Sequence, residues 1–269
     1  MTDPYVLTFE PILKAKVWGG RRLERLGKPL PAGVDVGESW EIADLASTSA
    51  GGGGGDAARS VISNGPLAGR TLHEAMDLWG ERLLGRAARS AAGGFPLLVK
   101  FLDAREHLSV QVHPSPEYAR AHPDAHLKTE CWYVVDAEPG SVIYKGVRPG
   151  VTRTDFERAL RAGQGGGVVE LLDAVPALVG DCHNLPSGTL HALGAGVLVA
   201  EVQTPSDTTF RVYDWAAEFG RAGRELHVEQ ALACIDFSPA AAGVRGSHGG
   251  SETLAQKVDG IHDDGCEKA

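Results

Sequence analysis

Residues 180–191 read Gly-Asp-Cys-His-Asn-Leu-Pro-Ser-Gly-Thr-Leu-His, and this stretch decides the fold. Pro186 and Gly188 are residues that favour tight turns, so the pattern predicts a turn between two strands. The strand that follows the turn holds His191 at a fixed position. We therefore expect the imidazole of His191 to point into the interior of a β structure.

A second informative stretch precedes it at residues 108–113, Leu-Ser-Val-Gln-Val-His. Apolar and polar residues alternate strictly, which predicts a strand with an apolar face and a polar face. Gln111 and His113 are two residues apart and so share the polar face. Pro114 ends the strand. Taken alone, the pattern is also typical of a half-buried strand whose polar face meets water.

Further β-rich runs lie at residues 131–135, 197–202 and 208–213. They outnumber the helical signals and fill the middle of the chain. The sequence therefore predicts a mainly β protein, a β-barrel with a helical elaboration.

Two helices are predicted from capping boxes. Thr71 and Glu74 open the first, in a helical insertion around residues 71–90. Thr154 and Glu157 open the second, which is expected to stop at Gly163.

Two glycine runs, at residues 51–55 and 165–167, predict loops. Beyond Phe237 the composition shifts to Ala, Gly, Ser and charged residues. We therefore expect one domain over residues 1–237 and a Gly/Ala-rich, mostly disordered tail over residues 238–269.

Composition limits the functional classes. The chain has 269 residues and a formal net charge of −9, which argues against a general nucleic-acid binder. A few basic side chains in one cleft can still attract an anionic small substrate. The start of the chain has no signal-peptide pattern, no stretch has the length of a membrane span, and the four cysteines are scattered. We expect a cytoplasmic protein without a membrane partner.

A metal site is predicted from residues that are weak signals individually. Glu130 precedes the run at residues 131–135, and a lone Glu at such a place is typical of a solvated strand end. Together, Gln111, His113, Glu130 and His191 offer two imidazoles and two oxygen donors. Two imidazoles and a carboxylate are a familiar catalytic zinc set, although other divalent ions also accept these donors.

The chain resembles type I mannose-6-phosphate isomerases of the short bacterial form, in the cupin superfamily. Residues 180–191 resemble the second cupin motif. Ordered blocks extend the resemblance from about Tyr5 to Phe237, at residues 9–14, 17–20, 37–42, 95–100, 108–114, 128–133, 186–192 and 206–214.

The resemblance implies a cupin-type (jelly-roll) β-barrel and a zinc enzyme with one zinc per chain. Its substrates would be mannose 6-phosphate and fructose 6-phosphate, interconverted through an enediol-type intermediate. It implies the metal ligands Gln111, His113, Glu130 and His191, the catalytic residues Arg211 and Lys128, and the substrate-binding residues Lys100, Glu201, Asp207, Trp40 and Glu41.

The general base stays open at this point, as does the oligomeric state. Arg211 suits either a phosphate or an enediolate, since its guanidinium is always charged and forked. We expect Glu201, on the preceding strand, to hold this guanidinium. Two alternatives to the isomerase are a non-catalytic cupin that senses sugar phosphates and a different cupin enzyme, such as an iron dioxygenase or another sugar isomerase.

Overall fold

A computed structural model describes residues 2–45, 58–162 and 166–238 of the chain. Within these ranges it contains thirteen strands and six α-helices. In chain order they are β1 (Ile12–Gly20), β2 (Val36–Ile42), β3 (Asp44–Leu45), β4 (Ala58–Arg59), α1 (Leu72–Trp79), α2 (Glu81–Leu84), β5 (Leu98–Ala104), β6 (Val110–Val112), α3 (Pro116–Ala121), β7 (Glu130–Ala137), β8 (Val142–Val147), α4 (Arg153–Arg161), α5 (Gly166–Val169), β9 (Leu172–Pro176), β10 (Cys182–Leu185), β11 (His191–Leu193), β12 (Val197–Gln203), β13 (Phe210–Tyr213) and α6 (Val228–Cys234).

Two antiparallel sheets form the body of the protein. One has the strand order β1-β2-β5-β12-β7-β10, and the other has the order β13-β6-β11-β8-β9. β3 and β4 form a separate two-stranded pair. The prediction of a mainly β, cupin-type architecture with a helical elaboration is confirmed.

Apolar side chains fill the space between the two sheets at one end. Strands β5, β7 and β12 of one sheet and strands β8 and β11 of the other contribute these side chains. The cluster includes Leu102, Val134, Ile143, Leu193 and Val199, all of which are buried. Alternation along each strand places these residues inward and their neighbours outward.

A second apolar cluster lies on the outer face of the five-stranded sheet. Val110 and Val112 of β6 contribute to it, as their alternation predicts. Phe156 of α4, Val168 of α5 and Ala231 of α6 cover it. These helices thus seal the back of the sheet whose front carries the polar face of β6.

The first predicted helix start is confirmed, since Thr71 and Glu74 form a reciprocal capping box before α1. The second was placed two residues too late, because Thr152 and Asp155 form the capping box that opens α4. Both Thr152 and Thr154 have an acidic residue three positions later, so the sequence offered two competing caps.

One further local expectation needs correction, because Gly166 and Gly167 begin the short helix α5 instead of lying in a loop. His183 lies in β10, opposite Trp132. The glycine run at 51–55, Gly163 and the tail after Ser238 lie outside the described residues. No helix within the described ranges is long and apolar enough to cross a membrane.

The turn predicted before His191 is present. The amide of Thr189 donates to the carbonyl of Pro186 at 3.0 Å. Gly188 has φ 86°, a conformation that favours glycine at the third position of such a turn. Its carbonyl accepts a hydrogen bond from the amide of Asp236 at 2.9 Å, just after α6. The segment that follows α6 therefore supports the turn that leads into β11.

This arrangement generates a prediction about the C-terminal boundary. We expect a chain that ends at Phe237 to unfold in a single cooperative transition near the wild-type midpoint, since residues 238–269 carry few apolar residues that could join a core. Thermal unfolding followed by circular dichroism measures it.

The matched control is a chain that ends at His227 and so also lacks α6, which buries Ala231 and Cys234. It should lose several kcal/mol of stability, because large apolar contacts in the outer cluster disappear. If removal of residues 238–269 were by itself enough to abolish cooperative unfolding, the domain boundary at residue 237 would be wrong.

Candidate active site

Strand pairing arranges the polar side chains in two rows that face each other across the barrel. In the six-stranded sheet, Trp40 of β2, Lys100 of β5, Glu201 of β12 and Trp132 of β7 lie opposite one another in register. In the other sheet, Arg211 of β13, Gln111 of β6 and His191 of β11 form a similar row. Opposed residues of antiparallel strands share a face, so seven polar and aromatic side chains enter the barrel at one level.

Three buried side chains converge where the rows meet. His113 Nε2 lies 3.2 Å from Glu130 Oε2, and His191 Nε2 lies 3.1 Å from Glu130 Oε1. One ligand-capable atom from each of the three lies within 4.8 Å of the other two. The residues come from β7, β11 and the end of β6, so both sheets contribute.

Hydrogen bonds on the far side of each ring fix both imidazoles. His113 Nδ1 donates to the carbonyl of Thr208 at 3.0 Å, and His191 Nδ1 donates to the carbonyl of Thr189 at 2.8 Å. A carbonyl only accepts, so Nδ1 carries the proton in each ring. The other ring nitrogen, Nε2, faces the carboxylate of Glu130 in both residues.

The electrostatics of the cluster keep His113 neutral and Glu130 ionised. Burial lowers the pKa of His113 to about 3, and the Lys128 ammonium adds to this effect. Burial alone would raise the pKa of Glu130, but the Lys128 ammonium holds it well below the usual range. Lys128 Nζ lies 2.7 Å from Glu130 Oε2. Glu130 Oε1 is buried and accepts no hydrogen bond from the described residues.

Gln111 lies beside this cluster. Its Oε1 accepts a hydrogen bond from Ser109 Oγ at 3.1 Å, and its Nε2 lies 3.4 Å from His191 Nε2. The amide nitrogen thus faces the imidazole. Because the oxygen and nitrogen of an amide are interchanged by a half-turn of the group, the same position can present oxygen.

A second ionic group lies on the opposite row. Lys100 Nζ lies 3.1 Å from Glu201 Oε1 and 3.8 Å from Glu38 Oε2. The indole of Trp132 donates to Glu201 at 2.7 Å, and that of Trp40 donates to Glu38 at 2.6 Å. The two carboxylates outweigh the effect of burial and raise the pKa of Lys100, so its ammonium stays charged.

Glu38 is the matching acid of this group. Burial alone would raise its pKa, but Lys100 and Lys16, together with the Trp40 hydrogen bond, lower the pKa to about 2. Lys16 Nζ lies 3.3 Å from Glu38 Oε1.

Two guanidinium groups line the other side of the cleft. Burial lowers the pKa of Arg211, and burial with the neighbouring Arg211 charge lowers the pKa of Arg224. Arg211 Nε and Arg224 Nη2 are buried without a hydrogen-bond acceptor among the described residues. His227 fixes the backbone of Arg211, because its amide donates to the Arg211 carbonyl at 2.7 Å.

Gln111 and Lys128, which contact the cluster, line a cleft together with the Lys100 group and the two arginines, and this cleft encloses about 670 Å³, including its open mouth. Five basic side chains reach it, namely Lys16, Lys100, Lys128, Arg211 and Arg224. Glu38, Glu201 and Asp207 are the lining carboxylates, so the cleft is basic although the chain as a whole is acidic.

Comparison with known proteins decides the family. The sequence model of the catalytic domain of type I phosphomannose isomerase matches residues 6–143. The chain is 38% identical over 241 residues to a probable mannose-6-phosphate isomerase, GmuF, of Bacillus subtilis (strain 168), covering 87% of this chain and 69% of that relative. The chain belongs to the type I phosphomannose isomerase family.

Comparison with solved structures shows that the chain also has the fold of phosphomannose isomerases. The crystal structure of the mannose 6-phosphate isomerase from Bacillus subtilis has a TM-score of 0.71 and 34% identity, covering 86% of this chain and 68% of that chain. A zinc-bound, holo mannose 6-phosphate isomerase has a TM-score of 0.59 at 17% identity, covering 87% of this chain and 75% of that chain. The second likeness concerns the fold.

In this phosphomannose isomerase family member, most of the predicted site residues lie either in the His-Glu-His cluster or in the adjoining cleft. They are Gln111, His113, Glu130 and His191 at the cluster, and Trp40, Lys100, Lys128, Glu201, Asp207 and Arg211 along the walls. Glu41 is the exception. Its carboxylate binds Lys28 and Ser39, each at 2.6 Å, on the opposite face of β2 from Trp40.

The expected contact between Glu201 and Arg211 is also wrong. Glu201 lies in the other sheet and binds Lys100 and Trp132, as described above. Sequence reasoning missed Lys16, Glu38 and Arg224. Strand alternation could have found Glu38, because it is two residues from Trp40 and so shares its face.

The Glu38 group generates a prediction about acid sensitivity. A carboxyl whose pKa falls from 4.5 to about 2 on folding stabilises the fold fully above pH 4.5, and this contribution is lost as the pH falls toward 2. The full contribution is roughly 3 kcal/mol. Glu38→Gln should therefore flatten the decline of stability between these two pH values.

Thermal unfolding of wild-type and variant proteins with a chelator present measures this, since the chelator removes any effect of metal. Glu41→Gln, from the same strand but the opposite face, is the matched control and should change the slope less than Glu38→Gln. Equal slopes for wild type and Glu38→Gln would show that the Glu38 pKa is not displaced.

Proposed function

We propose that this chain interconverts mannose 6-phosphate and fructose 6-phosphate with one zinc ion held by His113, Glu130 and His191, with Gln111 as a fourth ligand. The observation that carries the proposal is the convergence of two imidazole lone pairs on a buried carboxylate. The family and the basic cleft above this cluster support the choice of substrate.

The residues fit a divalent metal. The three donor atoms lie within 4.8 Å of one another, and among the described residues the Lys128 ammonium contacts only Glu130 Oε2, so a divalent cation could bind both Nε2 atoms and the carboxylate at once. Backbone carbonyls already orient both rings, as the outer hydrogen bonds of histidine ligands do in metal sites. The set of two nitrogens and one carboxylate oxygen, with space for substrate, suits catalytic zinc.

When bound, zinc supplies a Lewis acid that polarises the oxygens of the sugar. The remaining work falls to side chains of this chain. Lys100 cannot accept a proton readily, because Glu201 and Glu38 keep it charged. We assign it to holding sugar oxygens as a fixed hydrogen-bond donor. We assign Lys128, which lines the cleft and contacts Glu130, to the exchange of a proton with a substrate oxygen during enediol formation.

Arg211 and Arg224 bring two positive charges to one wall. An aldose–ketose isomerisation of a sugar phosphate presents two anionic groups, the phosphate and the enediolate oxygen that develops in the transition state. A guanidinium with an unused buried N–H binds such oxygens strongly. We assign Arg211, which shares the strand row of Gln111 and His191, to the developing oxyanion.

The proposal is tested by measuring zinc content and turnover of mannose 6-phosphate in the same protein preparations. Purified protein should contain about one zinc per chain by mass spectrometry of metals, and should convert mannose 6-phosphate in a coupled assay. His113→Ala and His191→Ala should lose most of the metal and at least a hundredfold in kcat/KM, because each removes a ligand. His183→Ala is the control, since His183 lies in β10 outside the cluster.

The outcomes separate the competing functions. Zinc binding without turnover of mannose 6-phosphate would favour a sugar-phosphate sensor. Turnover of glucose 6-phosphate in place of mannose 6-phosphate would favour another isomerase. Full activity in metal-free His191→Ala protein would end the metal proposal.

A separate prediction concerns Arg211. Arg211→Lys keeps the charge but loses the forked geometry. We expect kcat to fall by roughly a hundredfold or more, as on losing one electrostatic contact to a transition state, with zinc content and unfolding midpoint unchanged.

Steady-state kinetics divide the effect. A rise in KM with kcat unchanged would show that Arg211 binds the ground state and the transition state equally, as a phosphate contact would, and does not act on the oxyanion. Wild-type kinetics in a folded Arg211→Ala protein would remove Arg211 from the site.

A further inference from the structure

Two cysteines approach each other on the outside of the six-stranded sheet. Cys131 Sγ lies 3.1 Å from Cys182 Sγ, although 51 positions separate the residues in sequence. Cys131 follows Glu130 in β7, and Cys182 begins β10. Since Glu130 and Trp132 point into the barrel, alternation along β7 turns Cys131 outward.

Strand pairing fixes this approach. β7 and β10 are antiparallel, with Cys131 opposite Asn184 and Cys182 opposite Tyr133. The two thiols are therefore diagonal neighbours on one face, where side chains of adjacent strands are within reach. Neither thiol points into the candidate active site.

The two thiols differ in their access to solvent. Cys182 is exposed, Cys131 is half-buried, and Cys234, the other cysteine in the described part of the chain, is buried in the outer apolar cluster. A reagent in solution therefore reaches the exposed Cys182 thiol more easily than the half-buried Cys131 thiol beside it.

We propose that Cys131 and Cys182 form an oxidation site, a thiol pair that a hydroperoxide converts to an intramolecular disulfide. The Cys182 sulfur attacks the peroxide, the O–O bond breaks, and a sulfenic acid and one water (or alcohol) form. The Cys131 sulfur then attacks the sulfenic sulfur, the S–O bond breaks, and a second water leaves. Two thiols lose two electrons and two protons, and the peroxide is reduced.

The second step is fast for a geometric reason. A disulfide bond is about 2.05 Å long, so the sulfurs need to approach by only about 1 Å. The paired strands hold the two backbones in register, and side-chain rotation contributes to this approach. A resolving thiol in contact with the sulfenic acid outcompetes a thiol from solution, since its effective concentration is far higher.

The experiment treats full-length protein with stoichiometric hydrogen peroxide and maps its peptides by mass spectrometry. Wild-type protein should yield a linked peptide of Cys131 and Cys182, a mass lower by two hydrogens and the loss of two titratable thiols. Dithiothreitol should restore both. Cys266→Ser should give the same linked peptide, which excludes pairing with that residue.

The single variants test the order of the two steps. Cys131→Ser should stop at a sulfenic acid on Cys182 that dimedone traps, whereas Cys182→Ser should react more slowly and form no intramolecular link. The proposal is overturned if oxidised wild-type protein carries sulfinic or sulfonic acid at Cys182 without the linked peptide. It is also overturned if the link joins another cysteine. Neither cysteine is a proposed ligand or substrate contact, so the result is independent of the proposed function.

Discussion

The ionised carboxylate of Glu130 is the group on which the interior of this barrel depends. It is buried, it faces two imidazoles from the opposite sheet, and it contacts Lys128. An unpaired carboxylate in such a place would cost several kcal/mol in desolvation. Lys128, the charged partner of Glu130, therefore cannot be removed without a large loss of stability, and this couples the burial of the carboxylate to the assembly of the candidate metal site.

The rest of the polar interior follows the same rule. Lys100 lies between two carboxylates, and each of those carboxylates also accepts an indole N–H from a tryptophan. Buried ionic groups are tolerated when their remaining hydrogen-bonding capacity is used in this way. Arg211 Nε and Arg224 Nη2 are among the buried atoms left without a partner in the described part of the chain, and both residues line the cleft, where a ligand can complete them.

Local patterns in the sequence predicted much of this arrangement. Alternation with a period of two placed Gln111 and His113 on one face, and a proline–glycine turn placed His191 at the start of its strand. Resemblance to the family then predicted the other walls of the cleft. The resemblance selected Glu41 where the structure has Glu38 in the cleft. Both glutamates lie in one matching block, and only strand alternation shows which of them faces inward.

Long-range register accounts for the remaining omissions. The approach of Arg224 to Arg211, and of Cys182 to Cys131, depends on which strands and loops become neighbours. No local pattern encodes that choice, because contacts between distant residues depend on the whole topology. The helix α6 was missed for a related reason, since it is short and owes its stability to packing on the outer apolar cluster.

The hydrogen bond from the Asp236 amide to the Gly188 carbonyl has a consequence for biosynthesis. A ribosome makes the strand that carries His191 well before it makes residue 236, and Arg211 similarly precedes His227, whose backbone holds it in place. Vectorial synthesis therefore delivers the supports of the candidate site last. A nascent chain displays the histidines of the candidate metal site before the frame around them is closed, so any metal that binds them would do so in competition with the completion of folding.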